Sequence, residues 1–300
     1  MKLLALVLSL FTAQIATAHE PVKIAADFEI TSSMLRYLGG DFVEVTTIMP
    51  VNSSAHQFSL KASAAKAIQN ADYIFRIGGT VLPGLEDIVA KMAPDTPVLV
   101  LADLPGARLL HRRDFDHLHH DHDEHENEFP FDSHIWMSLH NANLWADTAT
   151  NMLIDHAPNQ TNEFNTRLSA FKATLATLET RAKALQEKSK GKRYIATHDA
   201  FQYIEDVIGL ELSGMLTDVE SLQIGPRELS RLKAQLKKEA VACILIEPYE
   251  ARALGAQIAS EFNIKAFEID PTGAQGITPS GDYLQTLTHA FNVFEQCLTQ

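Results

Sequence analysis

Short β-type runs alternate with helix-type runs twice along this 300-residue chain, and that rhythm limits the fold more than any other feature. In the first hundred residues, strand-like runs at 22–26, 42–49, 73–77 and 97–101 frame stretches at 31–38, 59–70 and 82–92 whose apolar residues recur three and four apart. Such spacing argues for repeated βα units and a parallel sheet. After Gly191 the pattern returns, with strands expected at 193–197, 211–216, 242–247 and 266–269 and helices beginning near Asp199, Pro226, Ala251 and Gly281. The predicted fold class is α/β: two similar βα lobes, each with a mainly parallel four-stranded sheet.

Between the lobes, Phe164, Leu168, Phe171, Leu175, Leu178, Ala182 and Leu185 form one apolar stripe at helical spacing. Pro158 precedes the stripe and Gly191 ends it, which predicts one long helix. A coiled-coil dimer seam is the competing reading, but the stripe falls short of four heptads, so a rigid strut within one chain is expected. The expected division is an export signal at 1–18, an N-terminal lobe at 19–158, a linking helix at 159–190 and a C-terminal lobe at 191–300.

The export reading rests on Lys2, the apolar run 3–15 and the small-x-small sequence Ala16-Thr17-Ala18. A cleaved signal predicts a soluble periplasmic protein, since no stretch is long and apolar enough to serve as an anchor. An oxidising compartment also allows the two cysteines, Cys243 and Cys297, to pair; two buried free thiols are the alternative. With a net charge of −13, the chain is repelled by phosphate backbones, so nucleic acid is not an expected partner.

Thirteen histidines are many for this length, and six of them (His111, His117, His119, His120, His122 and His125) fall in 111–132 among eight carboxylates and two arginines. With little to bury, that stretch is expected to be a mobile loop that binds divalent metal as an auxiliary site. Four other residues stand where strands end or loops converge, the places where parallel sheets gather ligands. His56 lies in the loop after the second strand, His198 follows strand 193–197, Asp270 follows strand 266–269, and His134 opens the apolar segment after the acidic stretch. Three imidazoles and a carboxylate suit tetrahedral Zn²⁺, whereas Ca²⁺ and Mg²⁺ demand more oxygens. Glu247, at the end of strand 242–247, reads as a residue that caps a helix or orients a ligand. His19, His140, His156 and His289 are not expected to bind metal.

On His56, the acidic histidine tract, Asp132-Ser133-His134-Ile135-Trp136-Met137-Ser138, Thr197-His198-Asp199-Ala200-Phe201, Ile246-Glu247-Pro248 and Ile269-Asp270-Pro271, the chain resembles the ZnuA-type periplasmic zinc-binding proteins. These are the cluster A-I solute-binding components of zinc-uptake ABC transporters, and the resemblance covers essentially everything after residue 18. It implies two α/β lobes joined by one long helix, and a disulfide at the positions of Cys243 and Cys297 that marks the zinc-specific branch. Manganese-specific relatives tend to place a carboxylate where this chain has His198, so the resemblance implies zinc. Some zinc members carry a glutamate directly before the first histidine, where this chain has Ala55, which leaves the fourth ligand open between Asp270 and water.

The expected function is therefore capture of Zn²⁺ in an interlobe cleft and delivery to the membrane permease of an ABC transporter, with no catalysis. The chain is expected to act as a monomer, with a periplasmic metallochaperone as a further candidate partner. Two rivals remain: a secreted zinc-dependent hydrolase with Glu247 as base, disfavoured because no His-Glu-x-x-His helix is present, and a metal-sequestering or adhesive protein without a transporter.

Overall fold

A computed structural model of the chain describes residues 20–49, 60–78, 81–82, 84–113, 130–217, 222–248, 251–273 and 282–299. The expected export segment 1–18, His19, His56, and the tract residues His117, His119, His120, His122 and His125 lie outside the described residues.

Two parallel sheets carry the fold, as expected for the α/β class. The first contains β1 (Val22–Ala26), β2 (Val43–Thr47), β3 (Tyr73–Arg76) and β4 (Val98–Val100) in the order β2-β1-β3-β4. The second repeats that order as β6-β5-β7-β8, from β5 (Arg193–Ala196), β6 (Glu211–Met215), β7 (Ile244–Ile246) and β8 (Ala266–Glu268). In both, the chain first steps to one side of the opening strand and then crosses to the other. Each sheet therefore has a crevice beyond the carboxyl ends of its first and third strands, where the connections diverge.

Helices cover both faces, so inward residues occur at successive positions along a strand. In β5, Tyr194 and Ala196 join the main core while Ile195 faces a second cluster with Leu232, Ile244, Leu254 and Ile258. That second cluster lies beneath α7 (Pro226–Leu236) and α8 (Arg252–Phe262). The main core runs without interruption from Val22 to Leu298 and joins the two lobes.

The predicted strut is α5 (Thr161–Ser189), 29 residues and so about 44 Å long. Six of its seven stripe residues are buried and Leu168 is half-buried, so the apolar face is used up within the chain. Phe164 meets Phe42 edge-on at 5.7 Å and Phe171 meets Tyr37 at 5.5 Å, both on the N-terminal lobe. At the other end Ser189 Oγ donates to Ile208 O at 2.5 Å and Gln186 to Val207 O at 2.9 Å, on the C-terminal lobe.

Three further helices complete the join between lobes: α1 (Glu29–Gly39), α4 (Leu139–His156) and α9 (Tyr283–Leu298). Sequence periodicity does not delimit α4, because its buried face mixes Leu139, Trp145 and Leu153 with Asn141, Ala142, Ala146, Ala149 and Thr150. Its start is fixed by Ser138, whose Oγ accepts from Asn141 N. Helix α9 crosses between lobes: Tyr283 N donates to Ser33 Oγ of α1, while Cys297 at its far end is bonded to Cys243. The expected disulfide is therefore present, next to β7. The helices α2 (Ala62–Gln69), α3 (Leu85–Met92) and α6 (Gln202–Ile208) fill the remaining connections, each starting about three residues later than its sequence pattern.

Candidate metal centre

The carboxyl ends of β5 and β7 meet at the crevice of the second sheet, and they present His198 and Glu247. Thr197 fixes both exits: its Oγ1 accepts from Glu247 N at 2.9 Å and its carbonyl accepts from Thr217 Oγ1 at 3.0 Å. Gly255 of α8 packs so closely here that a Cβ would come within 3.0 Å of Thr197 Cγ2. A side chain at 255 would crowd the Thr197 and Ile246 side chains, which would have to give by a few tenths of an ångström. The corresponding crevice of the first sheet is filled differently. The Asp27 carboxylate, beyond β1, accepts from Phe28 N, Thr31 Oγ1 and Ile77 N, and so ties the exits of β1 and β3 to each other.

His134 approaches His198 from the N-terminal lobe. It opens a single 3-10 turn (Ile135–Met137), and the imidazole centroids of His134 and His198 lie 4.9 Å apart with planes inclined by 72°. Both rings remain partly exposed, with about a fifth of each side chain open to solvent.

A buried carboxylate stands behind each ring. Asp132 Oδ1 accepts from His134 N at 2.9 Å and lies 2.7 Å from His134 Nδ1. Burial pushes the Asp132 carboxyl up, but the charge and two hydrogen bonds of His134, with help from the Arg113 guanidinium, more than offset this and hold it below the ordinary carboxylate range. Glu247 Oε1 lies 3.3 Å from His198 Nδ1 and has no hydrogen-bond partner among the described residues.

Asp270 is buried at the end of β8, with its Oδ1 accepting from Thr272 N at 2.8 Å and from Thr272 Oγ1 at 2.7 Å. The next residue is tied to the other lobe, since Trp136 Nε1 donates to Pro271 O at 2.8 Å. Trp136 also packs edge-on against His134, at 5.1 Å. Among the described residues, no three His, Cys, Asp or Glu side chains form a metal-ligand group. What the described structure brings together is the pair His134 and His198.

The two ends of the acidic stretch are not solvated chain. His111 and Phe131 form an antiparallel bridge flanked by Arg112 N to Pro130 O and Asp132 N to Leu110 O, making a short stem. This stem docks on α6 of the C-terminal lobe. Tyr203 Oη accepts from Leu110 N at 3.1 Å and donates to Asp132 O at 3.0 Å, Gln202 donates to His111 O, and Arg108 pairs with Asp206. Arg113 reaches furthest, donating to the carboxylates of both Asp199 and Glu205. His111 packs at a tilt against Phe131, with ring centroids 4.9 Å apart. The remaining histidines have other occupations: His140 Nε2 contacts Gly106 O, His156 packs on Tyr73, and His289 Nε2 lies 3.4 Å from Glu268 O.

Asp132 and Arg113 are the functional candidates that sequence reasoning overlooked. Asp132 carries a local signal, an aspartate two residues before a histidine, which can accept both that residue's N–H and its ring N–H. Arg113 carries none, because its partners are 86 and 92 residues away.

Relatives with the same organisation are known. The High-affinity zinc uptake system protein ZnuA of Haemophilus ducreyi is 28% identical over 270 residues, spanning 86% of this chain and 87% of that protein. Its namesake in Paracoccus denitrificans is 23% identical over 320 residues, 98% and 97% of the two chains. Among solved structures, a crystal structure of ZnuA superposes with a TM-score of 0.72 at 21% identity, covering 92% of this chain and 100% of that one. The solute-binding protein FpvC of Pseudomonas aeruginosa in complex with Mn²⁺ gives a TM-score of 0.77 at 18% identity, with 93% and 99% coverage. The family described as zinc-uptake complex component A, periplasmic, matches residues 24–297, and the chain belongs to that family.

Proposed function

We propose that this protein captures Zn²⁺ in the periplasm at the junction of its two lobes and delivers it to the permease of an ABC transporter. The observation that carries the reading is the pair of carboxylate-backed imidazoles. A histidine that ligates metal commonly gives its second ring N–H to a carboxylate, which fixes the tautomer and raises the basicity of the ligating nitrogen. With Nδ1 of His134 held by Asp132, Nε2 is its ligating atom; the Glu247 carboxylate stands 3.3 Å from Nδ1 of His198 and leaves Nε2 of that ring to the metal by charge and proximity. Two imidazoles presented in this way at 4.9 Å suit a borderline-soft cation better than Ca²⁺ or Mg²⁺. His56 is assigned as the third ligand and Asp270 as the fourth, with water as its alternative.

The family, its relatives and the charge pattern support transport over hydrolysis. Glu247, the residue a hydrolytic reading needs as its base, is turned to His198 instead. The N-terminal segment 1–18 acts as the export signal, the mature chain works as a monomer, and the tract histidines raise local zinc concentration. A periplasmic metallochaperone is a possible donor. Because His111 and Arg113 belong to the docked stem, a deletion that tests the tract must begin after residue 113.

Competitive titration with a chromogenic chelator tests the reading. One tight zinc site is expected in the native chain, weakened severely in His56→Ala, His134→Ala and His198→Ala and less in Asp270→Ala. Unaltered tight binding in both His134→Ala and His198→Ala would remove the proposal.

A further inference from the structure

We infer that Arg113 is a positioning residue for the zinc site, holding the His198 loop of one lobe against the His134 segment of the other so that both imidazoles reach one cation. This rests on the zinc reading above and extends it to a residue that touches no metal.

Three observations support it. Arg113 directly follows the stem residue Arg112, whose N–H donates to Pro130 O, and the opposite side of the stem runs through Asp132 to His134. Its guanidinium divides between two C-terminal carboxylates: Nε and Nη2 donate to Asp199, while Nη1 and Nη2 donate to Glu205 at 2.5 and 3.0 Å. Asp199 follows His198 directly, so this fork clamps the loop on one side of the ligand while Thr197 clamps it on the other. Glu205 in turn is held in the interior, being 4% exposed and accepting from Tyr194 Oη at 2.6 Å. Among the described stem contacts, those through Tyr203, Gln202 and Arg108 reach α6, whereas the Arg113 fork reaches both α6 and Asp199, next to the candidate ligand His198.

Charge and geometry give opposite signs, which makes the inference testable. A guanidinium close to a cation site repels the cation, so if charge alone mattered, removing it would tighten zinc binding. If the fork positions His198, removal loosens it. Lysine preserves the charge but, as a point donor on a flexible stem, cannot span two carboxylates in the same plane.

The test compares native protein, Arg113→Gln and Arg113→Lys by chelator competition for zinc and by the visible d–d spectrum of one equivalent of bound Co²⁺, which reports coordination geometry. Both variants should lose about tenfold or more in zinc affinity and show an altered Co²⁺ spectrum, with lysine giving no rescue. An Arg113→Gln protein that binds zinc as tightly as native or more tightly, with an unchanged Co²⁺ spectrum, would overturn the inference. Full restoration by Arg113→Lys would overturn the fork as its cause. Should Arg113→Gln fail to fold, Arg113→Lys decides alone, because it keeps a cation beside Glu205. A native protein without an imidazole-type Co²⁺ spectrum would instead defeat the zinc reading itself.

Discussion

Breaking the Cys243–Cys297 bond should destabilise the protein without disturbing metal binding. The two residues are 54 positions apart and both are buried, Cys243 just before β7 and Cys297 in the last turn of α9. Loop-closure entropy for a ring of that size amounts to about 4 kcal/mol at 25 °C. At about 2.1 cal/mol/K of unfolding entropy per residue, each kcal/mol moves the midpoint of a chain of this length by roughly 1.6 °C, so Cys243→Ala/Cys297→Ala should melt about 6–7 °C lower in the zinc-free form. A single transition is expected, since one core runs through both lobes. Zinc affinity should not change: the bond joins the amino-terminal end of β7, whereas His198 and Glu247 lie at the carboxyl ends of β5 and β7. Urea unfolding gives the free-energy difference and chelator competition the affinity. A loss below about 1 kcal/mol would refute the entropic argument, and an affinity collapse in a folded variant would refute the assigned separation of staple and site.

Three more outcomes follow from buried polar groups. Burial lifts the Asp27 carboxyl to about 6, against donors from Ile77, Thr31 and Phe28, so the folded chain holds a proton that the unfolded chain, titrating near 3.8, has released. The stability this contributes is present below about pH 4 and lost as pH rises through 6, so native protein should lose about 3 kcal/mol relative to Asp27→Asn across that window; a relative gain in urea titrations would contradict the sign. Trp136→Phe strips the buried Pro271 carbonyl of its donor and should cost about 1–3 kcal/mol in urea unfolding. Asp132→Asn removes the charged partner of His134 Nδ1 and should weaken zinc binding by about 10–100-fold in chelator competition, with little change in fold by circular dichroism.

The architecture was legible because it rests on periodicity. The stripe from Phe164 to Leu185 predicts a helix buried along one side, and α5 buries those residues. The βα rhythm likewise predicts a strand at 193–197, and β5 occupies Arg193–Ala196. Helix α4 was harder to read because it packs through alanines and polar groups, which leave no strong apolar period. The places of two ligand candidates just beyond strand ends were legible, since His198 follows β5 and Asp270 follows β8. The fit between lobes was not: Arg113 with Glu205, Tyr203 with Asp132 and Trp136 with Pro271 join residues far apart in sequence whose types are unremarkable one by one. The acidic stretch shows the same limit. Composition marks it as solvated, yet Asp132 is buried, because a backbone bridge and a tyrosine hydroxyl satisfy its neighbours.

Zinc K-edge X-ray absorption on the full chain, loaded with less than one equivalent so that only the tightest site fills, addresses the metal centre itself. The expected spectrum shows three imidazole nitrogens at about 2.0–2.1 Å with one oxygen completing a tetrahedron, and loses imidazole scattering in His134→Ala and in His198→Ala. An all-oxygen shell, or imidazole scattering that survives unchanged in both variants, would contradict a zinc site built where the two lobes meet.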